Sequence, residues 1–126
     1  MKSAIEDNIT DGVGLGRPIA AEPDLPKKIL QKNVQSALAS PFDGDFIIGT
    51  SAANSQMWQA GETYIEEKHE NPSYGIMDLS NPKVSNKYLS EVQYFLPDML
   101  ESMAMGTANT VLKYKVEEKN EIVYNK

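Results

Sequence analysis

The sequence predicts an α/β fold in which several helices and much loop surround one short strand. The strand prediction rests on residues 12–16, where Val13 and Leu15 alternate with glycines, as in a buried strand lying close to other backbone. The helix prediction rests mainly on residues 87–105, where apolar side chains recur at spacings of three and four. With 8 Gly and 7 Pro in 126 residues, the remaining segments are predicted to be rich in turns.

Two short helices are predicted on either side of the strand. Residues 3–9 place Ile5 and Ile9 four apart on one helical face. The second helix is predicted over residues 23–31, because acidic side chains lie at its start and lysines lie toward its end. Residues 19–21 between strand and helix are predicted to form a small apolar link.

The next segment is predicted to be irregular. Residues 40–45 combine Ser, Pro and Gly with Asp43 and Asp45, a composition typical of a solvated turn. The later ligands of a calcium-binding loop do not follow, so a cation site is not predicted there. Residues 46–48 form a brief apolar run that is either a strand or an anchor for the loop.

A third helix is predicted over residues 52–60, capped by Thr50 or Ser51 and ended by Gly61. Its polar positions leave two interpretations open, since the amides could bind a ligand edge or simply face solvent. The single tryptophan is interpreted as a core or subunit contact, with flavin stacking as the alternative. The predicted packing face consists of Ala52, Ala53, Gln56, Met57, Trp58 and Ala60, and the amide pair consists of Asn54 and Gln56.

The longest helix is predicted over residues 87–105, with Ser85 or Asn86 as its cap and a kink or break at Pro97. Residues 107–126 are predicted to form a marginal hairpin or a disordered tail. The apolar face of the longest predicted helix consists of Leu89, Val92, Leu96, Met99, Leu100 and Met103.

Composition excludes several classes of function. The net charge of −6 argues against nucleic acid or an anionic membrane as a partner. With no cysteine, disulfides, thiolate metal sites and a cysteine nucleophile are excluded, and the single His69 has no second ligand at metal spacing. The first ten residues lack the apolar core of a secretory signal, and no apolar run approaches the ~20 residues of a membrane span. We therefore expect a cytoplasmic protein.

The end of the predicted strand carries the clearest functional signal. Gly16 allows backbone to approach a ligand closely, and Arg17 offers a planar fork of donors suited to phosphate. Pro18 lacks a backbone N–H and ends the strand. Three glycines at positions 12, 14 and 16 do not match the spacing of a dinucleotide fingerprint, because position 17 is Arg.

Residues 11–29 resemble the last barrel strand of the NADH:flavin oxidoreductases, the Old Yellow Enzyme family. The resemblance is carried by an apolar strand, then Gly-Arg-Pro at 16–18, then Pro-Asp-Leu at 23–25 opening a helix. It implies a TIM barrel that holds FMN, with Gly16 and Arg17 at the FMN phosphate. A later Asp-Leu-Ser-Asn-Pro turn at 78–82 is similar to one in a C-terminal extension of animal members.

A barrel of this kind needs about 250 residues, so the resemblance implies the C-terminal fragment of a TIM barrel, not a closed barrel. Residues 1–32 would be its last βα unit, 33–106 a mainly helical, loop-rich extension, and 107–126 a weakly structured tail. The whole enzyme would pass hydride from NAD(P)H through FMN to an acceptor such as an activated alkene. This chain contains no catalytic residue that we can name and is predicted to be inactive alone. The alternative is a non-catalytic interaction module, whose helices dock on a partner chain or on a complementary barrel fragment, or the relic of a truncated gene. A homo-oligomer is also an open expectation.

Overall fold

The computed structural model describes residues 2–64, 66, 71–117 and 122–123. Within these ranges, the only sheet-like pairing is one antiparallel bridge between Met77 and Ile122. The described part of the chain is therefore mostly helical and contains no barrel. Its helices are α1 (Lys2–Glu6), α2 (Arg17–Ala21), α3 (Leu25–Gln31), α4 (Phe46–Glu62) and α5 (Pro82–Ala104).

The strand predicted over residues 12–16 does not form. These residues are irregular, and the Val13 side chain is 43% exposed. A strand satisfies its backbone groups by pairing with a neighbour, and no described segment pairs with this one. Three glycines in five residues also increase the entropy lost on ordering. The α/β prediction was wrong here because an isolated strand-like pattern cannot form a ladder.

A short helix, α2, takes the place of the predicted apolar link. Pro18 lies in its first turn, where a fixed φ and a missing N–H are well tolerated. The buried Ala20 belongs to this helix, and α2 packs on α4. The next helix, α3, begins at Leu25 and lies within the predicted range of 23–31.

The fourth helix begins earlier than predicted because Asp45 caps it. The Asp45 carboxylate accepts a hydrogen bond from the Ile48 N–H at 2.8 Å, which satisfies one of the unpaired amides of the first turn. Residues 46–48 are therefore helical, not a strand or a loop anchor, and neither Thr50 nor Ser51 is the cap.

The fifth helix also begins ahead of its predicted start. The Asn81 side chain accepts a hydrogen bond from the Lys83 N–H at 3.0 Å, and Pro82 occupies the first helical position. Pro97 does not split the helix. The carbonyl that loses its partner at a helical proline lies four residues earlier; here that residue is Gln93, which is exposed, so water can take the vacant position.

The core lies between α4, α5 and the segment 76–79. Val84, Tyr88 and Val92 recur every four residues on α5, and none of them is exposed. The Tyr88 ring is the centre of an aromatic group, with its centroid 6.0 Å from that of Phe42 and 5.6 Å from that of Tyr114.

The end of the described chain returns to this core. Ile122 and Val123 are buried, and the Val123 N–H donates to the Ile76 carbonyl at 2.8 Å. Residues 107–117 form no regular element. The predicted hairpin lies partly outside the described residues, and His69 lies wholly outside them. The domain limits at 32 and 106 stay predictions.

Candidate functional site

The Arg17 side chain bridges the start of α2 to the turn before α4. Its guanidinium donates to the Asp43 carbonyl at 3.1 Å and to the Asp45 carbonyl at 3.3 Å. The residue is nevertheless exposed. Since a guanidinium has five N–H donors, at least one N–H group remains for a further acceptor.

Gly49 makes room for this guanidinium on the first turns of α4. A Cβ at this position would overlap the Arg17 Nη1 atom and would lie 2.7 Å from the Phe42 carbonyl oxygen. Only a residue without a side chain fits between the two. No pattern in the sequence indicates this contact, because positions 17 and 49 are distant along the chain.

The carboxylates of Asp43 and Asp45, whose carbonyls hold Arg17, are engaged with backbone. The Asp43 Oδ2 atom accepts from the Ser40 N–H at 3.0 Å, and Asp45 is the cap of α4. Arg17 therefore contacts carbonyl oxygens of both residues, and no ion pair neutralises its charge within the described residues. A cation held only by neutral oxygens and open to solvent is suited to binding an anion.

Gly16 and Arg17 line one cavity together, which we call the Gly16 cavity. Its volume is about 470 Å³. Gly16 precedes the first residue of α2, and no described residue accepts from its N–H. The structure thus brings both residues singled out in the sequence to the same opening. The other lining residues are mainly apolar: Ile19, Ala20, Pro23, Thr50, Ala53, Asn54, Met57 and Ala60.

A second cavity, which we call the Gln56 cavity, shares Arg17 with the first. Its volume is about 520 Å³, and its lining includes Gln56, Asp78 and the loop 36–40. Gln56 is only 4% exposed, so a solvent-facing role for this side chain is wrong. The prediction that Met57 packs inward is also wrong, since Met57 is 56% exposed.

Two glutamines on α4 hold opposite sides of Met77. The Gln56 Nε2 atom donates to the Met77 carbonyl at 3.3 Å. The Gln59 Oε1 atom accepts from the Met77 N–H at 3.0 Å, and its Nε2 atom donates to the Tyr114 carbonyl at 3.0 Å. The sequence analysis assigned no role to Gln59. The pattern that could have indicated one is the spacing of three residues between Gln56 and Gln59, which places both glutamines on the helix face that carries small residues.

An ionic cluster lies where α3 meets the loop that follows it. The Lys28 Nζ atom is 3.1 Å from Glu22 and 3.2 Å from Asp24, and Glu22 also accepts from the Leu38 N–H at 2.7 Å. Burial alone would lower the Lys28 pKa, but hydrogen bonds and charge attraction from the two carboxylates outweigh it and raise the pKa above 10.5. Through the hydrogen bond from the Leu38 N–H to Glu22, the cluster holds one of the residues that line the Gln56 cavity.

A hydroxyl group lies at the centre of the core. Tyr88 is within 3.1 Å of the Ser51 hydroxyl and 3.2 Å of the Ser55 hydroxyl, and Ser55 donates to the Leu112 carbonyl at 2.7 Å. Burial raises the pKa of the Tyr88 phenol. We assign it a structural role, because its partners account for its hydrogen bonds.

Within the described ranges, no group of three or more His, Asp or Glu side chains could hold a metal ion. In the same ranges, every helix is too short or too polar to cross a membrane.

In comparisons with known proteins, no family model, no curated protein and no solved structure matches the chain.

Proposed function

We propose that this chain is the C-terminal segment of a cytoplasmic FMN-dependent NAD(P)H:acceptor oxidoreductase, and that Gly16 and Arg17 hold the FMN phosphate. The proposal rests on the resemblance of residues 11–29 to the last barrel strand of the Old Yellow Enzyme family. The observation that supports it is the cavity that Gly16 and Arg17 line together: the Gly16 N–H donates to no described residue, and Arg17 is exposed.

In this role, Arg17 neutralises phosphate charge and Gly16 donates a backbone hydrogen bond to a phosphate oxygen. Charge-assisted hydrogen bonds of this kind are worth about 1.5–3 kcal/mol each. The isoalloxazine of FMN would supply the hydride chemistry. In this role the chain positions the cofactor, and we assign no acid, base or hydride acceptor to it.

The departure from strand geometry at residues 12–16 bears on this proposal. In a barrel, neighbouring strands would pair with these residues and hold Gly16 and Arg17 in a defined register. Here, Arg17 is held instead by the carbonyls before α4. We therefore expect the chain alone to bind FMN weakly, in the millimolar range.

Chemical-shift perturbation by NMR tests the proposal, since it detects weak binding residue by residue. FMN should shift the Gly16 amide and the Arg17 guanidinium resonances, and riboflavin, which lacks the phosphate, should not. Arg17→Ala should weaken FMN binding by about tenfold or more.

Lys27→Ala is the matched control, because it removes one positive charge from an exposed residue that lines neither cavity. Equal shifts with FMN and riboflavin, or equal losses in the two variants, would contradict a phosphate site at Arg17.

A second candidate function is a non-catalytic interaction module, favoured by the C-terminal half of α5. The apolar stripe that is buried at Val84, Tyr88 and Val92 continues to Leu100 and Met103, which are 61% and 56% exposed. Sedimentation velocity over a range of concentrations tests it. Self-association abolished by Leu100→Glu would favour the module, and a monomer at every concentration would leave the stripe without support as a self-contact.

A further inference from the structure

The Gln56 cavity contains a buried hydrogen-bond acceptor without a partner. The Met77 carbonyl can only accept, so Gln56 must present its Nε2 atom to this carbonyl and its Oε1 atom elsewhere. No described residue donates to Gln56 Oε1, and this oxygen is not among the polar atoms sealed from water. Gln56 is only 4% exposed and lines the cavity, so its oxygen is open to the cavity.

Gln59 shows that an open acceptor is not a general property of this helix. Its side chain is as deeply buried, but both of its amide atoms are bonded to backbone, at Met77 and Tyr114. Buried polar atoms normally have partners. The open oxygen of Gln56 therefore marks a position where a donor from a ligand completes the site.

Asp78 adds a carboxylate on the same wall of the cavity. The carbonyl that holds Gln56 belongs to the peptide group that joins Met77 to Asp78, and both side chains line the cavity. The Asp78 Oδ1 atom accepts from the Ser80 N–H at 2.9 Å, and no described residue donates to Oδ2. Within the described ranges, no Lys or Arg forms an ion pair with this carboxylate. The wall thus presents two open acceptors, one of them charged.

The charge of the lining favours a cation. Among the described residues, the cavity is lined by the carboxylates of Asp43 and Asp78 and by one guanidinium, that of Arg17. Arg17 is bonded to the Asp43 carbonyl, so the positive charge lies in the part of the lining that contains Asp43. Asp78 lies on another segment and keeps an unbalanced negative charge, which a ligand with one positive charge would neutralise.

We infer that the Gln56 cavity binds a primary aliphatic amine through its ammonium group. An ammonium group has three N–H donors and one positive charge, and here it donates to Gln56 Oε1 and to the Asp78 carboxylate. A single hydroxyl group would fill one acceptor and leave the charge unbalanced, and an anion would meet a like charge. The alkyl part packs against the apolar lining, which includes Leu38, Ala52 and Leu79. This inference does not depend on the proposed function, because no phosphate contact enters it.

The test is an NMR titration of the whole chain with pentylammonium at about pH 7, where a primary amine is protonated. Pentylammonium should shift the side-chain amide resonances of Gln56 and leave those of Gln59 in place. It should bind about tenfold more tightly than pentanol, which lacks the charge, and than pentyltrimethylammonium, which lacks the N–H donors. Pentanoate, which has the opposite charge, should not shift Gln56.

Asp78→Asn removes the charge and keeps an oxygen that can accept from the Ser80 N–H. We expect it to weaken pentylammonium binding by about tenfold. Asp98→Asn is the matched control, because it removes the same charge from an exposed residue that lines neither cavity. Thermal melting verifies that both variants fold.

A bulky residue at the cavity wall provides an independent variant. Ala39 is exposed and lines the cavity, so Ala39→Trp should obstruct it without removing a polar group. Binding of pentylammonium should again weaken by about tenfold. Ala108→Trp is the control, since Ala108 is exposed and lines neither cavity.

The outcomes keep the amine site apart from the FMN proposal. An unmoved Gln56 resonance, or binding of pentanol, pentanoate or pentyltrimethylammonium as tight as that of pentylammonium, overturns the amine site. Equal binding by Asp78→Asn and Asp98→Asn, or by the two tryptophan variants, overturns it as well. FMN binding is followed separately at the Gly16 amide, so its absence contradicts the FMN function and leaves the amine site supported by the pentylammonium result.

Discussion

The body formed by α4, α5 and segment 76–79 is held differently from the motif segment, residues 10–17. In the body, buried aromatic and aliphatic side chains surround Tyr88, and two glutamine side chains form hydrogen bonds with the Met77 backbone. In the motif segment, residues 10–14 and 16–17 are exposed, Leu15 is half-buried, and the Arg17 guanidinium donates to the Asp43 and Asp45 carbonyls just before α4. The glycine-rich start of the motif is thus mostly exposed and contributes little packing, whereas its later part contributes buried residues such as Ala20 and Leu25.

The largest expected effect comes from removing the centre of the body. Tyr88→Ala should reduce the free energy of unfolding by about 3–5 kcal/mol, because it leaves a cavity between Phe42 and Tyr114. Urea denaturation followed by circular dichroism measures this. Tyr94→Ala on the same helix is the control, since Tyr94 is 82% exposed. A similar loss in both variants would mean that the body is not organised around Tyr88.

A smaller effect is expected where the motif segment meets the body. Gly49→Ala should cost about 1–3 kcal/mol, because the new methyl group overlaps the Arg17 guanidinium and the Phe42 carbonyl. Gly61→Ala is the matched control, as nothing lies within 4 Å of a Cβ there. Thermal melting compares them. In Arg17→Ala the cost of Gly49→Ala should fall, and an unchanged cost would show that Phe42 alone causes the clash.

Alkaline pH should weaken the link between α3 and the loop that follows it. The pKa of Lys28 is raised in the folded state, so this group contributes stability that is complete below pH 10.5 and is lost as the pH rises through the folded pKa. Denaturation at a series of pH values from about 9 upward measures this loss of stability. Lys28→Met should be less stable near neutral pH and should lose less stability on going alkaline. A parallel pH profile for both proteins would contradict this assignment.

The smallest effect is expected within the motif segment itself. Val13→Ala should change the free energy of unfolding by less than about 0.5 kcal/mol, because Val13 is 43% exposed and belongs to no strand. In an intact barrel, the same side chain would be buried and its loss would cost about 0.5–1.5 kcal/mol or more. Denaturation of Val13→Ala therefore reports whether residues 12–16 are packed as a strand in solution.

The helices were predictable where the signal was local: α3 from the charges at its two ends, and most of α5 from its apolar periodicity. The starts of α4 and α5 were less predictable, because Asp45 and Asn81 cap these helices several residues ahead of the apolar pattern. The contacts of the site were not predictable, because Arg17 reaches Asp43 and Asp45 across 26 and 28 residues. The strand at 12–16 was wrong because a ladder depends on partners that a local pattern cannot supply.

The span of the Arg17 bridge has a consequence for how the molecule opens. It closes the chain between the motif segment and the start of α4, with α2 and α3 inside the closed stretch. When the guanidinium leaves its two carbonyls, α2 is held on α4 by its packing alone, whereas Phe42 stays anchored beside Tyr88. An anion that binds Arg17 therefore acts on the contact that joins α2 to the turn before α4. Native-state hydrogen exchange at α2 would show whether the anion strengthens that contact, which slows exchange, or breaks it, which speeds exchange.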